Sequence, residues 1–584
     1  MHPCRQTHQE YRLVDPGEVI APIDVAARAD ATAYSDRMAL VLGPILRHVD
    51  ETSALVWVQT DEPGEVEVLG CGTRTFEVSG HHYALVEVTG LVPDTTTEYQ
   101  VRVNGALEWP LPDTEFPPSV IRTRGPETAD RHRFVFGSCR YPRAEDPKLD
   151  EKLGLDALDC YAIRMRHLPV EEWPDTLILL GDQVYADELT PQVKESLESS
   201  RTSTAGPADE VVDFEEYEGL YRHTWGDPEI RWILSTVATA MIFDDHDIRD
   251  DWNTSDTWRR QMSEKPWWQD RIRAGLASYW VYQHLGNLSP AELRESEDYH
   301  RVRDIDGDCW PHLVDVADRA DRETDGTKGI RFSFRWDLGN TRLIMIDSRN
   351  GRILSGGTRK MLSDVEFEWV ENQVEDDLER LDHLVLGSSL PWLLPPVIGD
   401  AETLNEIGAR QSGRRGRLAE KIRQGADLEH WPAFFDSFVR LSEMIRRVAS
   451  RDPGPATISV LSGDVHHSYA ARAAFSDATS ADVHQLVCSP VHNAIPPYIK
   501  VVFRVGWSTR LASVVRRWAR RGGSPDLPVA WRNTLGPLFG NTIATLSVEG
   551  RSAEVTFEQP DLDGTLGRAG NISLTPDSVA TERT

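Results

Sequence analysis

Six short apolar runs, at residues 134–136, 177–180, 240–243, 343–346, 384–386 and 458–461, each break off at a polar or glycine-led segment. Runs that are apolar at nearly every position predict strands buried on both faces. Between them, 274–285 and 434–446 carry apolar residues at helical spacing and predict packed helices. The chain upstream has a different texture. Residues 54–60, 65–69, 83–89 and 99–103 read as short strands separated by turn residues, the signature of a small all-β module. The pattern therefore predicts an extension over 1–36, a β-sandwich over 37–128 and an α/β domain over 129–560. Residues 561–584, rich in Gly, Ser, Thr and Asp, are expected to form a flexible tail.

Within the first module, LVPDTTTEY at 91–99 resembles the tyrosine corner of fibronectin type III sandwiches, in which a Tyr hydroxyl ties the chain back on itself. Tyr99 is the residue concerned, and Trp57 is expected in the core of the sandwich.

The polar ends of the six runs carry the chemistry: GSCR at 137–140, GDQVYAD at 181–187, DDHD at 244–247, DSR at 347–349, GSS at 387–389 and SGDVHHS at 462–468. In an α/β sheet the carboxyl ends of neighbouring strands face one crevice, so endings spread over the chain can converge. One Asp after a strand is more often a turn former or helix cap; recurrence at six strand ends favours a site. Acids crowded into a desolvated crevice need positive charge beside them. Cys139, Asp182, Tyr185, Asp245, Asp464 and His466 form a sulfur, oxygen and nitrogen donor set. It is too large for one tetrahedral ion and suited to two ions sharing a carboxylate. Arg140 and Arg349 follow strand ends and are candidates for forked hydrogen bonds to phosphate, with surface pairing to nearby acids as the alternative for each. His467, His484 and His492 are read as structural.

The ordered motifs GSC, GDxxYAD, DDHD, DSR and GDVHxS resemble those of the calcineurin-like metallophosphoesterases, specifically the PhoD-type alkaline phosphatase and phosphodiesterase branch, over roughly residues 40–560. The resemblance implies a β-sandwich followed by a four-layered αββα domain. It implies that Asp182 bridges two ions, with Cys139, Tyr185 and His466 on ferric iron and Asp245 and Asp464 on calcium. Zn²⁺, Mn²⁺ or Mg²⁺ are the other candidates for that second position. The expected reaction is in-line attack of a metal-bound hydroxide on a small-molecule phosphate ester, with His246 as the acid or, alternatively, a structural support of the site, and Asp247 either orienting its ring or capping a following turn. Hydrolysis of nucleotide polyphosphates, or a non-catalytic scaffold with a decayed site, are the alternatives. The chain departs from the broader superfamily at three points. Cys139 stands in place of an Asp-x-His ending, residues 386–389 offer no histidine, and Asp245 replaces a common Asn.

A formal charge of -31 argues against nucleic acid as a partner, because polyphosphate is held by basic surfaces. Six cysteines without a CxxC pair read as reduced thiols. The first thirty residues lack the basic start and apolar run of a secretory leader, and no stretch is long enough to span a membrane, so a cytoplasmic location is expected. Residues 498–521 interleave apolar and basic side chains, with Trp507, Leu511, Val514, Val515 and Trp518 able to share a helical face. Such a segment can lie on anionic lipid; the expectation adopted is a helix packed on its own domain with arginines outward. The inserts 188–230 and 253–335 carry no readable chemistry and are expected to set specificity.

Overall fold

The computed structural model describes residues 39–143, 146–201, 206–355, 359–495 and 497–575. The expected extension over 1–36, and the last part of the expected tail, lie outside the described residues.

Ten short strands come first: β1 (Leu40–Val49), β2 (Ser53–Thr60), β3 (Glu65–Val68), β4 (Cys71–Arg74), β5 (Phe76–Val78), β6 (His81–Thr89), β7 (Thr96–Glu98), β8 (Val101–Val103), β9 (Ala106–Trp109) and β10 (Val120–Arg122). Two four-stranded antiparallel sheets, β1-β2-β6-β5 and β4-β3-β8-β9, enclose Val56, Val58, Val66, Val86 and Val101. Every residue of β2 is buried, although side chains on a strand alternate between faces. The reason is that the second face of its sheet is also covered. Leu55, Trp57, Tyr83 and Leu85 join the core of the following domain, with the Trp57 ring 5.2 Å from that of Tyr282. Trp57, expected inside the sandwich, therefore points out of it. Tyr99 also departs from expectation: its hydroxyl donates to the Ser235 carbonyl in the next domain, not back to its own strand neighbourhood. Arg47 completes the seam with fully buried hydrogen bonds to the Gln283 carbonyl (2.6 Å) and Asn287 Oδ1 (2.9 Å).

The α/β part contains β11 (Arg131–Gly137), β12 (Thr176–Leu180), β13 (Ala238–Ile242), β14 (Phe334–Leu338), β15 (Thr341–Ile346), β16 (His383–Ser388), β17 (Thr457–Ser462), β18 (Ser468–Ala474), β19 (Asp482–Val487), β20 (Ala530–Leu538), β21 (Ile543–Glu549), β22 (Ser552–Pro560) and β23 (Leu566–Ser573). They form a six-stranded sheet, β13-β12-β11-β21-β22-β23, and a seven-stranded sheet, β14-β15-β16-β17-β19-β18-β20. Phe136, Ile178 and Ile242 of the first meet Leu343, Val385 and Leu461 of the second in a shared core. The outer face of the first sheet is covered by helices that include Phe214–Trp225 and Trp268–Tyr279. That of the second is covered by Asp364–Glu375 and Phe435–Ala449. Helix, sheet, sheet, helix is the four-layered order expected. All six apolar runs became strands, β11, β12 and β13 parallel in one sheet and β15, β16 and β17 parallel in the other.

Two expectations are corrected here. Leu566–Ser573, placed in a flexible tail, pairs antiparallel with β22 as an edge strand, burying Leu566 and Leu574 beside it. Residues 498–521 are two helices, Pro497–Gly506 and Thr509–Arg521, the second capped by Ser508. Phe503 stacks on His467 at 3.9 Å and Trp507 packs on Tyr469 at 5.1 Å; of the residues expected to share the inward face, Trp507 and Val515 are partly buried whereas Leu511, Val514 and Trp518 are exposed. Among the described residues no helix is long and apolar enough to cross a membrane.

The buried seams also shape acid stability. Burial pushes the His132 and His284 imidazoles down to about 3 and that of His48 to about 4. As pH falls below the unfolded value of ~6.5, the unfolded chain binds protons that these folded rings refuse, so stability is intact above that pH and lost below it. His132→Asn, able to keep the bond to Thr176, is expected to flatten this loss by up to about 1.4 kcal/mol per pH unit, read from urea unfolding of both proteins at pH 7 and pH 5.

Candidate metal centre

Four of the expected ligands sit on backbone that L residues rarely adopt: Cys139 (φ 56), Asp182 (φ 51), Asp464 (φ 65) and His466 (φ 49). Such strain persists where surrounding structure imposes it, and it gathers at functional sites. The glycines before the acids allow the loops to close. A Cβ on Gly181 would lie 2.5 Å from that of Asp244, and one on Gly463 would lie 2.0 Å from Ser138 Oγ.

Cys139, Asp182 and His466 bring one sulfur, one oxygen and one nitrogen within 4.8 Å of one another. Asp182, Asp244 and Asp245 do the same with three carboxylates. Asp182 is common to both groups. The donors fit metal ions, because Asp182 Oδ1 and Asp244 Oδ2 are buried oxygens with no hydrogen-bond partner. Burial, together with Asp182 and Asp464, raises the Cys139 thiol well above its usual range. Burial and the carboxylates of Asp244, Asp245 and Asp247 outweigh His246 and raise Asp182 in the same way. Both are groups that a cation would ionise. Burial lowers His466 to about 4, leaving a neutral imidazole. The Tyr185 hydroxyl accepts from Asn493 Nδ2 at 3.0 Å, and its ring lies 4.8 Å from that of His246.

Asp464 belongs to neither three-residue group. Its Oδ2 lies 2.9 Å from His430 Nε2 and its Oδ1 3.5 Å from Arg349, while His430 Nδ1 reaches Glu402 at 2.7 Å. Arg349 is fully buried and answers the charge problem posed by DDHD from within the protein. Its guanidinium touches Asp244, Asp245 (3.1 Å), Glu429 (2.6 Å) and Asp464. A fork committed to four carboxylates is not a free phosphate clamp, so the role expected of Arg349 is replaced by one of holding the acid loops together. Arg140 is corrected likewise. It binds Asp156 (2.7 Å), Asp159 (3.5 Å), Asp227 (3.2 Å) and the Thr224 carbonyl (2.8 Å). Arg140→Met leaves buried carboxylates without their cation and is expected to cost about 3 kcal/mol of stability. The kcat/KM per folded molecule should hold, as chemical denaturation and active-site titration would establish.

Asp247 does not orient His246. Its Oδ2 accepts from the backbone of Asp182 (3.0 Å) and Asp244 (2.9 Å), and its Oδ1 from Gln283 (3.1 Å), so it locks the loops after β12 and β13. Asp187 takes the expected place, bound to His246 Nδ1 at 2.9 Å. Burial alone would lower the His246 pKa, but the charge and hydrogen bond of Asp187, with Asp182 and Asp245, raise it well above its ordinary value. Asp244 and Asp187 were visible as the first acid of DDHD and the last of GDQVYAD. His430 and Glu429 follow no strand and left no such signal. His467, His484 and His492 each reach a backbone carbonyl outside the donor groups.

Two helix-covered sheets whose strand ends gather a thiol, carboxylates and imidazoles into one crevice define the class of metal-dependent phosphoesterases. A family model described as PhoD-like phosphatase matches residues 160–510, the greater part of the chain, and the chain belongs to that family. A second, described as a domain of unknown function, DUF7800, matches residues 37–121. Among solved structures, one of PhoD is 12% identical over 92% of this chain and 91% of its own, with a TM-score of 0.55, a likeness of fold. A dimetal phosphatase from Danio rerio is 9% identical over 76% of this chain and 98% of its own; its TM-score of 0.30 adds nothing to that assignment. No curated protein matches.

Proposed function

We propose that this chain hydrolyses small-molecule phosphate mono- or diesters at a dinuclear centre formed by the two ligand groups that share Asp182. That sharing is the observation that carries the reading. Cys139, Tyr185 and His466 with Asp182 would hold the more polarising ion, for which ferric iron suits thiolate and phenolate donors. Asp182, Asp244 and Asp245 would hold a hard divalent cation such as calcium. When bound, two such ions supply the positive charge that acidifies water and offsets charge on the phosphoryl oxygens.

The protein supplies position and a proton. Arg349 and Asp247 fix the acidic loops before any ion enters, so the carboxylates need little rearrangement. Asp187 holds Nδ1 of His246 and keeps the ring protonated, leaving Nε2, 4.0 Å from Asp250, to deliver a proton to the departing alcohol oxygen.

Metal-replete protein, assayed across pH with aryl phosphate mono- and diesters, nucleotides and glycerophosphodiesters, is expected to turn over at least one class. Two tightly bound metals with no turnover of any would sink the proposal. A ferric ion on Cys139 and Tyr185 should colour the protein, and Cys139→Ser should alter that visible band; a colourless, iron-free preparation that is fully active rejects iron.

A further inference from the structure

We propose that the helix pair Pro497–Gly506 and Thr509–Arg521 docks this protein on an anionic lipid surface. The pair is amphipathic in an unusual sense. Its inward side is already satisfied: Phe503 stacks on His467, Trp507 packs on Tyr469, Ala519 is buried, and Arg516 pairs with Asp400 at 2.9 Å. Each helix nevertheless leaves apolar side chains facing solvent. Val501, Val502 and Val505 are 58%, 54% and 46% exposed on the first helix, and Leu511, Val514 and Trp518 are 37%, 49% and 63% exposed on the second. Leu511, Val514 and Trp518 stand at i, i+3 and i+7 and so form one stripe. Arg510, Arg517 and Arg521, also exposed, form a parallel stripe beside it at i, i+7 and i+11.

Charge identifies the occupant. From 497 to 521 the chain holds no acid; Arg516 and Arg520 pair with Asp400 and Asp526, and Lys500, Arg504, Arg510, Arg517 and Arg521 are the further basic residues, in a protein whose formal charge is -31. A bilayer carrying negative headgroups complements both features at once: arginines meet headgroup charge while valines, leucine and indole enter the boundary of the acyl region. A twofold contact with a second copy would instead set two arginine stripes against each other.

The test uses the full chain with phosphatidylcholine vesicles, with and without phosphatidylserine, in a flotation assay. Binding is expected to the serine-containing vesicles, at least tenfold weaker to neutral ones, and weakened by salt. Trp518→Ser with Leu511→Ser, and separately Arg510→Glu with Arg517→Glu and Arg521→Glu, should each abolish it while leaving turnover of a soluble aryl phosphate intact, since none of these side chains touches the donor groups. Equal affinity for neutral and anionic vesicles, no binding to either, or binding unaffected by the variants overturns the proposal. Concentration-dependent dimerisation that Trp518→Ser removes also overturns it, by assigning the face to a second copy.

Discussion

Replacing Asp182 by Asn is expected to abolish turnover, by on the order of 10⁴-fold or more, the scale seen when one member of an interdependent catalytic set is removed. It is also expected to empty the protein of at least one metal, measured by elemental analysis after gel filtration. The substitution is nearly isosteric and its backbone bond to Asp247 does not involve the side chain, so the loop should survive. Stability supplies an independent readout with the opposite sign. In metal-free protein, burial and the neighbouring acids hold the Asp182 carboxyl well above its ordinary pKa. A carboxyl whose folded pKa is raised is ionised more readily in the unfolded chain, so it costs stability increasingly as pH rises from ~4 through the folded value. Metal-free Asp182→Asn should therefore melt higher than metal-free wild type at pH 8, whereas added metal should restore and surpass that stability in wild type alone. Equal metal content in the two proteins would remove Asp182 from the centre.

Replacing His246 by Ala is expected to lower kcat by ~10²–10⁴-fold while both metals remain bound, because a positioned acid is lost and no ligand is. Asp187→Asn should reproduce a smaller part of that loss. It preserves the ring's hydrogen-bond partner but removes the charge that most favours the imidazolium, so the alkaline limb of kcat/KM should move to lower pH. Substrates with good leaving groups, such as nitrophenyl esters, should be hurt less than alkyl esters, since their departure needs less protonation. An Ala variant with unchanged rates on alkyl esters would show that His246 only supports the site. Asp247→Asn, by contrast, should reduce metal retention and stability before it alters the pH profile, because that side chain ties Asp182 to Asp244.

The strand endings were legible because each combines two local signals, a nearly unbroken apolar run and an abrupt polar stop. All six endings lie at the carboxyl ends of parallel strands, and the motif residues Cys139, Asp182, Asp245 and His466 fall within the two donor groups. Pairing within the site was less legible. Asp247, next to His246 in sequence, is aimed at backbone amides, while Asp187, carried on the preceding strand's loop, reaches the ring. Adjacent residues at a turn point in different directions, so proximity along the chain says little about which carboxylate meets an imidazole. The arginines were misjudged for a related reason: a position after a strand predicts access to the crevice, not what already fills the guanidinium's hydrogen-bonding directions.

By itself the sequence determined the six strands whose ends carry the polar motifs and the donor residues Cys139, Asp182, Asp245 and His466, because those follow from side-chain periodicity and donor chemistry. Only the tertiary structure decided that β2 is buried on both faces, that Tyr99 and Arg47 sew the sandwich to its neighbour, and that Arg349 and His430 sit against the acids. It also decided which faces of 497–521 are left to solvent. The physical reason is common to all of these. A side chain's energy depends on the groups that packing brings to it from distant parts of the chain, and no local pattern records them.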